Sequence, residues 1–346
     1  AGSNPASPTP LSSSLNRCCF LQRTFKPKPT GSTEEWDMPV VSGSSARGLA
    51  EDLAAQLDWQ HVQMESRRFP DGEGYVRVPE DAISSLRDQD VVVVSNTFPD
   101  SGIVETLLML EAISDVRAGR LASLKGGMDS QDDVGAGLFL AIPYFGYSRQ
   151  DKRFQKGEAI SAQALGRIFA GHCDGIVVLD LHAPVALEGL EVPVRFVSAM
   201  PEVAEYLSEN VKPDFILSPD KGAIERASSV AQAIGCRFSY LEKVRIDAHT
   251  IVHQPKDLDV DGSIVAIIDD MISTGGTICK ASEALHSQGA TEVHAACTHG
   301  LFTDGAISRL DQHVDGVHAP NSLSNPRSSI SGGKALARGV RELLDL

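Results

Sequence analysis

The chain contains no run of about eighteen apolar residues, so no membrane span is expected. Its six cysteines, Cys18, Cys19, Cys173, Cys236, Cys279 and Cys297, form no Cys-x-x-Cys pair, and no His/Cys cluster has zinc-site spacing. Free thiols in a reducing compartment are the expected state. Positive charge is scarce: 31 Lys and Arg stand against 46 Asp and Glu, a formal net charge of −15. Such a surface repels nucleic acid, which disfavours a sequence-independent nucleic-acid role. An anionic small substrate would need a site made locally basic by side chains or a metal. Acid, in turn, is missing up to Thr33, where Arg17, Arg23, Lys26 and Lys28 lie among Ser and Pro without apolar periodicity. That segment cannot bury enough surface to order itself. Three readings stand open for residues 1–37: a disordered tail, part of an organellar transit peptide, or an artefactual extension ahead of Met38. No short-period repeat is present.

What the chain does have is length and a regular alternation. Its 346 residues, 42% of them hydrophobic, suffice for two domains with their own cores. From Pro39 onward, short apolar runs alternate with amphipathic stretches. Val91–Ser95, Leu138–Pro143, Ile176–Asp180, Asp214–Ser218, Ile264–Asp269 and Val293–Thr298 read as strands; Ile103–Val116 and Ala159–Ala170 read as helices. Continuous apolar strands between helices predict an α/β protein with largely parallel sheets. Two halves are expected, residues 38–186 and 187–346, dividing near Ala183–Pro193. Lys125–Gly137, rich in Gly, Asp and Ser, predicts a flexible insertion loop. In open α/β sheets ligands collect at the carboxyl ends of the strands, so motifs at those ends come first.

The apolar run Ile264–Ile268 is followed by Asp269 and Asp270, then by Ser273, Thr274, Gly275, Gly276 and Thr277, with a helical segment from about Ile278. A Gly-rich turn entering a helix presents unpaired backbone N–H groups to an anion. The two threonines add hydroxyl donors, and two carboxylates at a strand end can accept from the vicinal hydroxyls of a sugar. The combination suits a sugar phosphate better than bare phosphate. In Arg68-Phe69-Pro70-Asp71-Gly72-Glu73 an aromatic ring can stack on a purine and carboxylates can accept from its amino group; alone, Pro-Asp-Gly is also an ordinary turn. Pro143 to Asp151 ends a strand with Arg149 and Gln150, and Arg149 can fork onto a phosphate. Asp180-Leu181-His182 and Ser218-Pro219-Asp220-Lys221-Gly222 close two further strands. By chemistry alone His182 reads as a histidine satisfied by a neighbour, because magnesium prefers oxygen ligands. Lys243-Val244-Arg245 places two cations on one side of a strand.

The Asp269–Thr277 segment resembles the ribose-phosphate loop of type I phosphoribosyltransferases and of ribose-phosphate diphosphokinases (phosphoribosyl diphosphate synthases). The other segments, in the order found, resemble the second family, from about Val40 to about Ala319. Ser42-Gly43-Ser44-Ser45 fits the family's start, a strand entering a helix capped by serines.

The resemblance implies two phosphoribosyltransferase-like domains, each a mainly parallel sheet flanked by helices. It implies transfer of the diphosphoryl group of Mg-ATP to ribose 5-phosphate, feeding nucleotide biosynthesis. It assigns Phe69, Asp71, Glu73, Arg149 and Gln150 to ATP, and Asp269, Asp270, Ser273, Thr274, Gly275, Gly276 and Thr277 to ribose 5-phosphate. His182 and Asp220 fall to Mg2+, and Lys243 and Arg245 to the transition state. It further implies a cytoplasmic homo-oligomer in which the Phe69 loop approaches a neighbouring subunit's site. A transit peptide in residues 1–37 would instead imply an organelle. Ser273 and Lys221, where many members have Asp and Gly, and the short Lys152–Glu158 loop resemble the archaeal-type branch. Two rivals are weighed: a phosphoribosyltransferase, which needs only the Asp269–Thr277 loop, and a non-catalytic regulatory relative, which need not keep His182, Asp220, Lys243 and Arg245.

Overall fold

Val91–Val94 and Leu138–Ile142 are apolar at every position, which a chain tolerates only where both faces of a sheet are covered. In the computed structural model they are central strands. The structure describes residues 38–121, 135–245, 251–254 and 258–346, with 242–245 and 251–254 as main chain. Residues 1–37 and residues 125–134 of the 125–137 insertion lie outside the described residues.

The elements run β1 (Val40–Ser42), α1 (Arg47–Leu57), β2 (His61–Gln63), β3 (Glu65–Arg68), β4 (Gly74–Arg77), α2 (Ile83–Asp88), β5 (Val91–Val94), α3 (Asp100–Arg117), β6 (Leu138–Ile142), α4 (Ser161–Ala170), β7 (Gly175–Leu179) and β8 (Val194–Val197). They continue α5 (Met200–Asn210), β9 (Phe215–Ser218), α6 (Ile224–Ile234), β10 (Arg237–Tyr240), β11 (Glu242–Arg245), β12 (Ile251–Gln254), β13 (Ile264–Ile272), α7 (Gly276–Ser287), β14 (Glu292–Gly300), α8 (Ala306–Leu310), β15 (Gly316–Pro320), β16 (Ser328–Ile330) and α9 (Gly333–Leu344).

Two six-stranded sheets result, ordered β2-β1-β5-β6-β7-β8 and β10-β9-β13-β14-β15-β16. Every pairing within them is parallel. β3–β4 and β11–β12 are separate antiparallel hairpins. Strand alternation divides each core in two. Val91 and Val93 pack with Met109, Leu110 and Ile113 of α3 and Phe169 of α4; Val92 and Val94 pack with Leu49 and Leu53 of α1. In the second sheet Val265 and Ile267 face Ile278 and Leu285 of α7, and Ala266 and Ile268 face Val203 and Val230. The expected α/β class, with two parallel sheets flanked by helices, is what the chain forms. No helix among the described residues is long and apolar enough to cross a membrane.

The sheets do not divide at 186/187. β8, beyond that point, pairs in parallel with β7, Ile176 opposite Val194. The stretch 180–193 is therefore the crossover between two strands of one sheet rather than a linker. α9 also returns to the first sheet: Leu336, Val340 and Leu343 join the core of Val92 and Val94. It lies so close that a Cβ at Gly339 would come within 2.5 Å of Val177 and 2.7 Å of Val197. The expected serine cap on α1 is also absent. The helix starts after Ala46, which makes no side-chain cap bond. Ser44 instead donates its N–H (2.8 Å) and hydroxyl (2.7 Å) to Glu105. A buried carboxylate needs donors more than an exposed helix end does.

Candidate active site

Residues that follow the carboxyl ends of β6, β7, β9 and along the end of β13 meet around a cleft of about 520 Å³. Arg149 and His182 enter it from the first sheet, and Asp220, Arg226 and the whole of Asp269–Thr277 from the second. β13 runs on through Ile272, so both aspartates sit on extended backbone before the turn. Gly275 then takes φ +75, a left-handed conformation that glycine adopts without strain, and α7 begins at Gly276. Its first turn, Gly276 to Ile278, whose N–H groups have no partner within the helix, borders the cleft.

The two aspartates are pushed in opposite directions. Burial first, then the neighbouring Asp270, pushes the Asp269 carboxyl well above the usual carboxylate range. Burial acts on Asp270 in the same sense. However, a hydrogen bond with His182 (Nδ1 to Oδ2, 2.6 Å) and the Arg226 guanidinium at 4.0 Å hold it below that range. His182 is pushed upward chiefly by the same bond. The Asp270 N–H donates to Asp269 Oδ1 at 2.8 Å. One carboxyl therefore tends to keep its proton while its neighbour stays ionised.

Asp220 Oδ1 accepts from the N–H groups of Gly222 (2.8 Å) and Ala223 (3.3 Å), capping the turn that leads into α6. Among the described residues no three His, Cys, Asp or Glu side chains gather as a metal cage. That donor set still fits magnesium, which is held through one or two carboxylates completed by phosphate oxygens and water. Asp220 is the oxygen ligand on offer, while His182 Nδ1 is engaged with Asp270.

Three of the residues expected at the ATP site lie elsewhere in the same chain. Phe69, Asp71 and Glu73 are on the tip of the β3–β4 hairpin, and none of them lines the cleft. Asp71 accepts from the Glu73 N–H at 3.0 Å, and Phe69, 38% exposed, meets Tyr75 edge-on at 5.9 Å. The Arg67 guanidinium covers both rings, at 5.0 and 4.6 Å. Gln150 is turned to its own loop, where its amide donates to the carbonyls of Lys152 (3.2 Å) and Ala159 (3.4 Å). Lys243 and Arg245 stand on β11 opposite His253 and Ile251 of β12. Their side chains lie outside the described residues.

Sequence reasoning left two residues without a role. Arg226 reaches Asp270 and also Asp180 (3.9 Å), and donates to the Leu181 carbonyl at 3.3 Å. Asp180 is buried with φ +40 and accepts from the Ser198 hydroxyl (2.6 Å), the Ala199 N–H (2.8 Å) and the Thr298 hydroxyl (2.6 Å), joining both sheets. The available signal was Arg226 lying on a helix just beyond Asp220.

A family model described as the N-terminal domain of ribose phosphate pyrophosphokinase matches residues 38–124, and one described as a phosphoribosyl transferase domain matches residues 196–317. The ribose-phosphate pyrophosphokinase of Methanopyrus kandleri is 35% identical over 311 residues, 88% of this chain and 99% of that protein. That of Methanothermobacter thermautotrophicus is 37% identical over 306 residues, 88% of this chain and 100% of the other. The chain belongs to the ribose-phosphate pyrophosphokinase family. A solved member, phosphoribosylpyrophosphate synthetase from Mycobacterium smegmatis, superposes with a TM-score of 0.71 at 27% identity, covering 89% of this chain and 99% of that one. Family membership accounts for the two phosphoribosyltransferase-type sheets.

Proposed function

We propose that the chain transfers the diphosphoryl group of Mg-ATP to the C1 hydroxyl of ribose 5-phosphate, giving 5-phosphoribosyl 1-diphosphate and AMP. The observation that carries this reading is the single cleft in which a phosphate loop, the Asp269–Asp270 pair and Arg149 converge. The loop Ser273–Thr277 holds the 5-phosphate through N–H groups and hydroxyls. Protonated Asp269 donates to one ribose hydroxyl and ionised Asp270 accepts from its neighbour. The C1 oxygen forms a bond to the β-phosphorus as the bond from that phosphorus to the α,β-bridging oxygen breaks; AMP departs with that oxygen, and the hydroxyl proton passes to solvent. Arg149 holds ATP phosphates, and Lys243 and Arg245 neutralise charge on the transferring group. Mg2+, held by Asp220 with His182 beside it, would screen the triphosphate. Positioning and charge neutralisation supply most of the acceleration in phosphoryl-group chemistry.

Phe69, Asp71 and Glu73 complete the ATP site of a second copy of the chain, with Gln150 supporting the loop beside Arg149. The position of the hairpin away from its own cleft supports that arrangement. The oligomer belongs to the proposal, as does the cytoplasm as its compartment.

The reaction is tested by incubating the folded protein with ATP, magnesium and ribose 5-phosphate. AMP should appear only when the sugar phosphate is present. A phosphoribosyltransferase would instead consume phosphoribosyl diphosphate with a base, and a regulatory relative would release no AMP. Absence of AMP from folded, magnesium-supplied protein would sink the proposal.

The loop geometry adds a prediction. A Cβ at Gly275 would sit 3.0 Å from Leu310 at a φ of +75. Gly275→Ala should raise the KM for ribose 5-phosphate about tenfold, in line with a strain of roughly 1–2 kcal/mol for a left-handed non-glycine residue. The KM for ATP should stay within about twofold; steady-state kinetics with each substrate varied in turn checks both.

A further inference from the structure

We infer that Arg309 is a positioning residue for the phosphate loop, acting by holding its peptide planes so that their N–H groups face the cleft. The inference rests on the proposed function for the identity of the sugar phosphate, though not for the anion itself.

A loop that binds an anion through backbone N–H groups has a specific way to fail. In a trans peptide the C=O and N–H point in opposite directions. If one peptide plane flips, a carbonyl dipole faces the phosphate and attraction becomes repulsion. Glycine-rich loops are the most exposed to this, because glycine tolerates both orientations. The loop therefore needs something behind it that grips its carbonyls.

The segment 303–310 supplies that grip. The Arg309 guanidinium donates through Nη1 to the Thr274 carbonyl and through Nη2 to the Asp304 carbonyl (3.2 Å). The Thr303 N–H donates to the Ser273 carbonyl at 3.1 Å, and the Ser273 and Thr303 hydroxyls lie 3.1 Å apart. With the Thr274 carbonyl fixed on Arg309, the Gly275 N–H must point the other way. With the Ser273 carbonyl fixed on Thr303, the same holds for the Thr274 N–H. Leu310 fills the space beneath Gly275. Arg309 does not itself line the cleft, so its action passes through the loop. A guanidinium suits the task because its fork bridges two carbonyls at once, Thr274 and Asp304, tying the loop to the turn that starts α8.

The test compares R309M, which keeps bulk and loses every donor, with R309K, which keeps one donor group. Ribose 5-phosphate and inorganic phosphate are each titrated calorimetrically, and KM is measured for both substrates. R309M should bind ribose 5-phosphate about ten- to a hundredfold more weakly, the loss expected for a hydrogen bond made by a charged group. Turnover at saturation and the KM for ATP should stay within about twofold, and R309K should recover a large part of the loss. Thermal unfolding of all three proteins guards against misfolding, which would weaken both substrates together. Unchanged phosphate and ribose 5-phosphate binding in R309M overturns the inference, as does a parallel loss for ATP or an R309K no better than R309M. Inorganic phosphate separates this result from the proposed function. R309M must weaken it even if wild-type protein ignores ribose 5-phosphate, an outcome that counts against the proposed reaction alone.

Discussion

Lys243→Ala is expected to lower turnover by about two to three orders of magnitude, the size seen when one charge-stabilising donor is removed from a developing anion. The KM values for ATP and ribose 5-phosphate should move by no more than a few-fold. Lys243 and Arg245 lie two residues apart on β11, which pairs antiparallel with β12 and belongs to neither large sheet. Alternation puts both on one face of a hairpin, and cations on such an element can act on charge as it develops in the transferring group. A residue used only in the transition state lowers kcat and kcat/KM together. Unchanged turnover with a raised KM would assign Lys243 to ground-state binding and reject this role.

Asp270→Asn should have an effect of similar size, with a pH signature of its own. The substitution removes the anion that faces both His182 and Arg226. It also removes the negative neighbour that helps keep Asp269 protonated. Affinity for ribose 5-phosphate should fall by roughly a hundredfold, as expected when a buried charged hydrogen-bonding group is lost beside a ligand. Stability follows from the directions of the shifts. His182 has a raised pKa, so its bond to Asp270 contributes fully below the ordinary histidine value of about 6.5 and fades as pH rises through the raised value. Asp270 has a lowered pKa, so its contribution is present above the ordinary aspartate value of about 3.9 and is lost only as pH falls through the lowered one. Asp269 adds to the trend: its raised pKa favours the fold at low pH, and the asparagine relieves its repulsion at high pH. The wild-type advantage in thermal midpoint should therefore be largest near about pH 5.5 and shrink towards about pH 8.5. His182 is 42% exposed, so solvent screening keeps the difference modest. A difference that grows with pH would show that the pair is not what holds these loops together.

Much of the site could be read before any coordinates. Ile264–Ile268 shows itself as a buried strand because every position is apolar, and Gly275-Gly276 as a phosphate turn because only glycine leaves that backbone open. These are local properties, and local spacing carries them. The partnership of His182 with Asp270 is not local: 88 positions separate them, and they meet only because two sheets present their carboxyl ends to one another. Arg226 was left without a role because its partners come from the turn after β7 and from β13, not from its own helix. Ser44 looked like a helix cap because nothing near it in sequence reveals that Glu105 is buried behind it. Phe69 carries the chemistry of a purine site, yet its hairpin stands apart from the cleft of its own chain. The amphipathic pattern of α9 says that one face must be covered but not which sheet covers it.

That last feature bears on how the protein comes into being. The core on one face of the first sheet contains Val40 and Val92 from early in the chain and Leu336, Val340 and Leu343 from α9. A ribosome works from one end to the other, so when residues 38–197 have been synthesised that face is covered by α1 alone, with the part that α9 packs against still open. The second sheet can close first, although it is made later. The first domain is expected to wait, exposing valine-rich strands to chaperones, until residues 333–344 have emerged and can fold back over them.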